Sequence, residues 1–178
     1  TLSGVSPYSG ATTISAGTLA LDATGTIAGS SGVANSATFT IAADKTVASL
    51  TGAGATTLNG ILTIGDTRNL SGTYSGVASS TGGITKAGTG TLTLSGSSTY
   101  TGLTAIGAGT LRLGAAGDAT NTPLGTVATG TVVSAGATLD LNGFTLGTAE
   151  GLTLNGTGVG GTAGALANSS ATAATYSG

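Results

Sequence analysis

The strongest constraint on this chain is an internal repeat at a fixed spacing. The stretch Leu2–Leu21 returns as Leu94–Leu113, an offset of 92 residues, and 13 of the 20 aligned residues are identical. A fixed long period is typical of arrays in which each unit buries its apolar face against its neighbours. The repeat therefore predicts a stacked architecture, and it says less about what the surface of that stack binds.

Composition excludes several function classes. The 178 residues include 34 glycines and neither Cys nor His, and 6% of them are charged, with a net charge of −2. Because there is no basic cluster and no long apolar run, we expect no nucleic-acid partner and no direct membrane insertion. Nucleophilic catalysis usually needs a His base, and metal sites usually need His, Cys or clustered carboxylates. We therefore predict a non-enzyme with no catalytic, cofactor-binding or metal-binding residues.

Alternation of apolar and polar residues dominates the chain. Short runs with this pattern are Thr18–Leu21, Thr38–Ile41, Ile61–Ile64, Thr91–Leu94, Thr110–Leu113, Thr138–Leu141 and Leu152–Leu154. The pattern predicts strands of about four residues that bury one face. Leu-Ser-Gly and Leu-Asn-Gly triplets follow several runs and predict tight corners. No window has the spacing of an amphipathic helix, so the sequence predicts an all-β fold without significant α-helix.

Strands this short and this closely spaced favour a coil over a sandwich, in which turn signals come about every 8–12 residues. We therefore predict that residues 1–178 form a single parallel β-helix, or β-solenoid. At about 20–24 residues per coil, the chain would make about eight rungs. The repeat divides the chain into a first unit at about 1–92 and a second unit at about 93–178. Since the pattern begins and ends inside a repeat, we expect a fragment of a longer array.

In the second copy of the repeat, a recognisable motif begins before the repeated block and continues through it. The matching positions are Lys86, Gly88, Gly90, Leu92, Leu94, Gly96, Tyr100, Gly102, Thr104, Ile106, Gly109 and Leu111. In this pattern Ile84–Leu113 resembles the autotransporter-associated β-strand repeat, a passenger-domain β-helix family of bacterial surface proteins. Ser98 stands where Asn is usual, and the first copy lacks the Lys-x-Gly-x-Gly half. The resemblance implies a right-handed parallel β-helix in an extracellular protein of the bacterial cell surface, often an adhesin.

The leading hypothesis is a structural or adhesive module that forms a stiff rod or filament. No polar cap is visible at either end of the pattern, so terminal strand edges are expected to pair. We expect homotypic end-to-end association or pairing with the remainder of the same chain, and a host or matrix surface as a further partner. Two alternatives remain open: a polysaccharide-acting β-helix enzyme with an acidic cleft, and a passive stalk that displays a functional tip elsewhere in the parent protein.

The carboxylates recur at a regular interval. Asp22, Asp44 and Asp66 are evenly spaced along the chain, and Asp118 and Asp140 repeat the same interval. With coils of that length they would stack into acidic columns suited to weak calcium binding or to a paired-carboxylate glycosidase. The alternative is that Asp is a favoured residue of exposed turns. The sequence leaves open whether the Asp22/Asp44/Asp66 column binds calcium.

Two further residue types recur in fixed contexts. Tyr8, Tyr74, Tyr100 and Tyr176 each begin a Tyr-x-Gly triplet. This context favours a ring packed beside a glycine corner, and the alternative is a platform on which a carbohydrate stacks. Lys86 is expected to donate hydrogen bonds to carbonyl groups at a coil corner.

Overall fold

The short alternating runs form strands, as predicted. The computed structural model, which describes all 178 residues, contains twenty strands and one 3₁₀ turn, Val159–Gly161. In chain order the strands are β1 (Thr12–Ile14), β2 (Thr18–Leu21), β3 (Val33–Asn35), β4 (Thr38–Ile41), β5 (Lys45–Val47), β6 (Leu50–Thr51), β7 (Ala55–Leu58), β8 (Leu62–Ile64), β9 (Gly72–Tyr74), β10 (Ala78–Ser79), β11 (Ile84–Lys86), β12 (Thr91–Leu94), β13 (Thr104–Ile106), β14 (Gly109–Leu113), β15 (Asn121–Thr122), β16 (Gly125–Thr126), β17 (Thr131–Val133), β18 (Ala137–Asp140), β19 (Leu152–Leu154) and β20 (Leu166–Ala167). They wind into a parallel β-solenoid of about seven turns, which confirms the predicted fold class.

Three parallel sheets run along the solenoid, one on each face. The first face contains β1, β3 and β6, and a bridge between Gly52 and Tyr74 continues it into β9, β12, β14, β18 and β20. The second face contains β2, β4, β7 and β10, and the third contains β5, β8, β11, β13, β17 and β19. Each strand of these three sheets therefore pairs with its counterpart one turn away, about 4.8 Å along the axis.

The inward side chains of successive rungs form one continuous core. In β12, Leu92 and Leu94 are buried while Thr91 and Thr93 are half-buried, as the alternation predicts. Across the solenoid, 27 buried residues belong to a single apolar cluster. Because every rung rests on the next, burial of leucine and isoleucine ladders supplies most of the driving force for folding.

Coil length varies more widely than the sequence predicts. Thr38 pairs with Ala55 across a coil shorter than the predicted range, whereas Gly109 pairs with Ala137 across a coil longer than it. The long coils carry the antiparallel hairpin of β15 and β16 and the turn Val159–Gly161, neither of which was predicted. Surface loops tolerate such insertions because the cost of closing a loop grows slowly with its length.

Each copy of the repeat makes one complete rung, but the two rungs start on different faces of the solenoid. In the first copy Leu2 pairs with Leu21, and in the second copy Leu94 pairs with Leu113. However, β1 lies on the first face whereas its sequence counterpart β13 lies on the third. The spacing between the two copies is therefore not a whole number of turns. The division into two units near residue 92 stays a prediction.

Candidate functional site

A shallow groove crosses the corner that leads into the third face. It has a volume of about 350 Å³ and spans the rungs of β5, β8, β11 and β13. The groove is lined by Asp44, Asn59, Gly60, Ile61, Thr81, Gly82, Gly83, Thr85, Gly102, Leu103 and Ala105. We call this feature the corner groove.

Stacked glycines form the floor of the corner groove. A Cβ atom added at Gly82 would lie 2.0 Å from the carbonyl oxygen of Gly60. One added at Gly102 would lie 2.4 Å from the carbonyl oxygen of Gly82. No side chain fits at these positions while the rungs keep their register, so only glycine allows so close an approach. The corner is concave because three successive rungs have no side chain there.

The rim of the corner groove has two exposed aliphatic side chains and a single charge. Ile61 and Leu103 remain 45% and 42% exposed, although both are large aliphatic residues. Asp44 supplies the one charged side chain, and its Oδ1 accepts a hydrogen bond from the Ile61 N–H at 2.8 Å. Exposed aliphatic side chains beside a floor of glycines suit a neutral, extended ligand held by van der Waals contact.

The predicted acidic column is wrong. Asp22 follows β2, and Asp44 lies between β4 and β5, so both are at the corner between the second and third faces. Asp66 follows β8 and lies at the next corner, beyond the third face. The register is the reason, because Leu21 pairs with Ile41 and Ile41 pairs with Leu58, and both of these coils are shorter than the interval between the carboxylates. The constant interval therefore places Asp66 beyond the corner that Asp22 and Asp44 share, and no column of three carboxylates forms.

The second acidic pair is also separated. Asp118 lies in the loop before β15, and Asp140 ends β18. No group of three His, Cys, Asp or Glu side chains lies close enough together to hold a metal ion.

Turn geometry explains the exposed carboxylates. Oδ1 of Asp22 accepts hydrogen bonds from the N–H groups of Thr24 at 2.9 Å and Gly25 at 2.8 Å. The bond from Gly25 contributes most to lowering the pKa of Asp22 to about 2. Asp118 makes the equivalent bonds to the N–H groups of Thr120 and Asn121. The alternative interpretation, Asp as a turn residue, is therefore the one that the geometry supports for both.

Asp140 is the exception, because it is buried and fully partnered. Its carboxylate accepts hydrogen bonds from Arg112 Nε at 2.8 Å and from Ser169 Oγ at 2.6 Å, as well as from the N–H groups of Ser169 and Asn142. Burial opposes its ionisation, but these hydrogen bonds outweigh burial and hold the pKa of Asp140 below its usual value. The network ties β14, β18 and the loop after β20 together.

Lys86 occupies the carbonyl-lined corner that was predicted for it. Its side chain is 1% exposed, and Nζ donates to the carbonyl oxygens of Ala87 at 2.6 Å, Gly88 at 2.7 Å and Ala108 at 3.3 Å. Burial lowers the pKa of Lys86 to about 8, while the three carbonyl dipoles favour the ammonium form. Lys45 is also buried and donates to the carbonyl oxygen of Ala23 at 2.9 Å.

Two of the four tyrosines pack inside the solenoid. Tyr74 Oη donates to the Gly54 carbonyl oxygen at 2.7 Å, and Tyr100 Oη lies 2.6 Å from Thr104 Oγ1. Burial raises the pKa of Tyr74 to about 12. The predicted packing role is therefore confirmed for Tyr74 and Tyr100, whose buried rings offer no platform for a sugar. Tyr176 is half-buried, and Tyr8 is 40% exposed.

Sequence reasoning missed one buried acid. Glu150 is fully buried, and its Oε1 and Oε2 accept hydrogen bonds from Thr131 Oγ1 at 2.6 Å and Thr122 Oγ1 at 3.4 Å. Burial raises the pKa of Glu150 to about 7. In the same rungs, the buried hydroxyl groups of Thr148 and Tyr176 have no hydrogen-bond partner. A lone glutamate among glycines and threonines carries no spacing signal that would have revealed this cluster.

Comparison with known proteins agrees with this architecture. Residues 1–21 and 84–113 match the passenger-associated-transport-repeat family model, and these segments are the Leu2–Leu21 rung and the strands β11 to β14. The chain is also 39% identical over 155 residues to the adhesin BmaC autotransporter of Brucella suis biovar 1 (strain 1330). Both matches support the autotransporter passenger-repeat family for this chain. The two findings together indicate that this passenger segment is extracellular and surface-displayed.

The match to the adhesin covers 81% of this chain but 4% of the adhesin's own length. This passenger segment therefore corresponds to a small part of that relative. No solved structure matches the chain. No helix in it is both long enough and apolar enough to cross a membrane.

Proposed function

We propose that this passenger segment is a stiff, non-enzymatic module that adheres to other surfaces through the corner groove. The observation that carries the proposal is the apolar rim of Ile61 and Leu103, held in the open over a floor of stacked glycines. Exposed aliphatic side chains around a concave backbone are typical of binding surfaces. The relative is named as an adhesin, which supports the same role.

The mechanical part of the proposal rests on the ladder of rungs. The parallel faces share one core of 27 residues, so bending the axis would strain hydrogen bonds and packing together. Seven rungs at about 4.8 Å give a segment on the order of 30 Å long. Such a segment holds the corner groove at a constant distance and orientation from whatever it is attached to.

A matched pair of surface variants tests the adhesive role. Beads coated with the chain would be measured for attachment to host-cell and matrix-protein surfaces. We expect the double variant Ile61→Glu, Leu103→Glu to lose most attachment, because two carboxylates oppose an apolar contact. Val127→Glu, at a residue 48% exposed and outside the corner groove, should attach like the unchanged chain. Circular dichroism would establish that all three fold alike.

Each result of this experiment has a defined meaning. Attachment that survives the double variant would remove the corner groove from the proposal. If beads carrying the unchanged chain do not attach at all, the adhesive role itself fails.

A passive stalk is the second candidate function. The observation in its favour is that the chain corresponds to 4% of the length of the adhesin it resembles, so most contacts of such a protein lie elsewhere. Deleting one whole repeat unit from the parent protein distinguishes the two. Unchanged adhesion after the deletion indicates a stalk, and lost adhesion indicates direct contact.

We further propose end-to-end association of the solenoid, either with neighbouring parts of the same polypeptide or between copies. The support is the ladder itself, because every rung pairs with the next through backbone hydrogen bonds and a further rung of the same pattern would continue it. Electron microscopy of the purified chain should then show rods or fibres, and a field of compact single particles would contradict this.

A further inference from the structure

A second groove lies on the outer side of the first face, away from the corner groove. It has a volume of about 350 Å³ and crosses β14, β18 and β20. Thr110 and Arg112 of β14 pair with Thr138 and Asp140 of β18, and all four side chains line the groove. We call this feature the Arg112 groove.

An inserted loop makes the Arg112 groove concave. β18 is buried along its whole length, whereas the outward residues of β14 are half-buried. The segment around the turn Val159–Gly161 lies over the outer side of β18. There the Val159 N–H donates to Thr138 Oγ1 at 3.0 Å, and Thr138 Oγ1 donates to the Gly164 carbonyl oxygen at 2.9 Å. A sheet face that would otherwise be flat therefore has a wall on one side.

Most polar side chains of the Arg112 groove are already saturated by the protein. The Asp140 carboxylate accepts hydrogen bonds at both oxygens, and the Thr138 hydroxyl both donates and accepts. Asn168 uses the oxygen and the nitrogen of its amide to bond nearby backbone groups. Arg112 bonds through Nε alone, so its two terminal nitrogens and the Thr110 hydroxyl are the groups left for a ligand.

Arg112 differs in this respect from the other basic residues. Arg68 donates from all three guanidinium nitrogens, to a carboxylate and to two backbone carbonyl groups. Lys45 and Lys86 are buried and bonded to carbonyl oxygens. The Arg112 side chain is 40% exposed, whereas that of its partner Asp140 is 4% exposed. A buried carboxylate therefore fixes an accessible guanidinium, which reduces the entropic cost of binding a ligand there.

The open donors define the chemistry of the ligand. The two terminal nitrogens of a guanidinium form a planar fork that matches a carboxylate. Because Asp140 offsets the charge of Arg112, the site favours a singly charged group over a doubly charged phosphate. Thr110 lies on the same side of β14 as Arg112, and its hydroxyl can donate to or accept from a hydroxyl of the ligand. A carboxylate with hydroxyl groups beside it is the pattern of a sugar acid.

We propose that the Arg112 groove binds a sugar-acid residue of an acidic polysaccharide. The carboxylate of the sugar accepts hydrogen bonds from the terminal nitrogens of Arg112, and a ring hydroxyl bonds Thr110. The groove, at about 350 Å³, lies at the lower end of the range for ligand sites, roughly 300–1,000 Å³, which suits a single sugar residue. An extracellular, surface-displayed segment is accessible to such polymers.

The Arg112 groove binds this sugar without cleaving it. Glycoside hydrolysis ordinarily needs two carboxyl groups on either side of the scissile bond. Asp140 is the single acid in the groove, and its oxygens are occupied. The proposal goes beyond adhesion through the corner groove and does not depend on it.

An NMR titration with the methyl glycoside of glucuronic acid tests the proposal. The control ligand is methyl glucoside, which has the same ring with a hydroxymethyl group in place of the carboxylate. We expect amide shifts at Thr110, Arg112 and Ala167 in the isotope-labelled chain, and none at Ile61 or Leu103 of the corner groove. The dissociation constant should be on the order of 1 mM, since one sugar residue makes few contacts. The glucoside should bind about tenfold more weakly or less, because it lacks the charged acceptor.

Matched variants identify the groups that bind. Arg112→Lys keeps the charge but loses the fork of donors, so the affinity for the glucuronide should fall about tenfold. Arg68→Lys, the same change at an arginine outside the groove, should leave the affinity unchanged. Thr110→Val removes one hydroxyl and should lower the affinity for the glucuronide about fivefold, while the affinity for acetate stays the same. Circular dichroism would establish that the variants fold alike.

Three outcomes overturn the proposal. One is the absence of shifts around the Arg112 groove with the glucuronide. A second is equal binding of the glucuronide and the glucoside, or of the glucuronide to Arg112→Lys and to the unchanged chain, because the guanidinium then does not recognise the carboxylate. The third is binding of acetate or of a glutamate-containing peptide as tight as that of the glucuronide, because the site then does not recognise the sugar. The bead experiment tests the corner groove separately, so either proposal can fail while the other stands.

Discussion

The middle and C-terminal rungs of the solenoid bury ionisable groups in contrasting ways. In the middle, the Lys86 ammonium is surrounded by three carbonyl oxygens that belong to the backbone of its own corner and the next. In the C-terminal rungs, the Glu150 carboxylate has two hydroxyl donors, and the hydroxyls of Thr148 and Tyr176 nearby have no partner at all.

Coil length explains this contrast. Where coils are short, as between Ile84 and Thr104, corner carbonyls recur at the same position in each rung and provide matched acceptors. The next coil, from Thr104 to Thr131, is longer, and here Glu150 has one hydroxyl donor from the ladder, Thr131 of β17, and a more distant one from the inserted hairpin, Thr122 of β15. Regular stacking therefore satisfies buried polar atoms, whereas insertions leave some of them unpaired.

The largest expected effect comes from placing a charge at the same alternation position in each region. Leu94 in β12 is 2% exposed, whereas Leu154 in β19 is 44% exposed, although both end a Leu-Thr-Leu run. Leu94→Asp should lower the free energy of unfolding by about 3–5 kcal/mol, because it buries an unpaired charge. Leu154→Asp should change it by less than about 0.5 kcal/mol.

Chemical denaturation would measure both variants, with Thr93→Asp as the control on the outward side of β12. Equal losses for Leu94→Asp and Thr93→Asp would mean that the assigned facing of β12 is wrong.

A pH dependence is expected from the C-terminal rungs. Burial raises the pKa of Glu150 from 4.5 to about 7, so between these values the folded state binds more protons than the unfolded state. The contribution of Glu150 to stability is therefore fully present below pH 4.5 and declines as the pH rises to 7, by on the order of 3 kcal/mol.

Glu150→Gln should flatten this part of the stability profile, measured by thermal unfolding across the pH range. Asp118→Asn, at an exposed turn, should leave the decline in place. A decline that persists in Glu150→Gln would assign it to another group.

The three hydrogen bonds of the Lys86 ammonium should contribute less to the free energy of unfolding than a buried leucine, but more than a single hydrogen bond. Lys86→Met keeps the aliphatic length and removes three donated hydrogen bonds, which should cost about 2 kcal/mol. Lys45→Met removes one such bond and should cost less. Urea titration of the two variants at neutral pH tests this order, and a larger loss for Lys45→Met would contradict it.

The smallest expected changes in stability come from removing a tyrosine hydroxyl, and they differ in sign between the two regions. Tyr100→Phe removes a hydroxyl that is bonded to Thr104 and should cost about 1 kcal/mol. Tyr176→Phe removes a buried hydroxyl without a partner and should leave stability unchanged or slightly raise it. Differential scanning calorimetry resolves shifts of this size, and destabilisation by Tyr176→Phe would show that its hydroxyl has an unrecognised partner.

Much of the fold was predictable because its signals are local. The runs Thr18–Leu21, Thr38–Ile41, Thr91–Leu94 and Leu152–Leu154 are strands β2, β4, β12 and β19 with the predicted bounds. The corner role of Lys86 and the packing of Tyr74 and Tyr100 also followed from their flanking glycines. Each of these features depends on residues within one rung.

The corner groove and the acid positions were not predictable in the same way. The groove depends on Gly60, Gly82 and Gly102 meeting at one corner, although the two intervals between them along the chain are unequal. The equal intervals between Asp22, Asp44 and Asp66 predicted a column that the structure does not form, because their rungs have unequal lengths. Spacing along a sequence determines spatial neighbours only when every coil has the same length.

By itself the sequence determined that this protein is an all-β solenoid with leucine ladders inside, since alternation and glycine corners act over a few residues. The tertiary structure alone decided which rungs align, that the two repeat copies face different directions, and that Glu150 is buried. These features depend on how many residues each loop adds between rungs. A longer loop costs little free energy, so loop length is not reflected in the pattern of inward-facing residues.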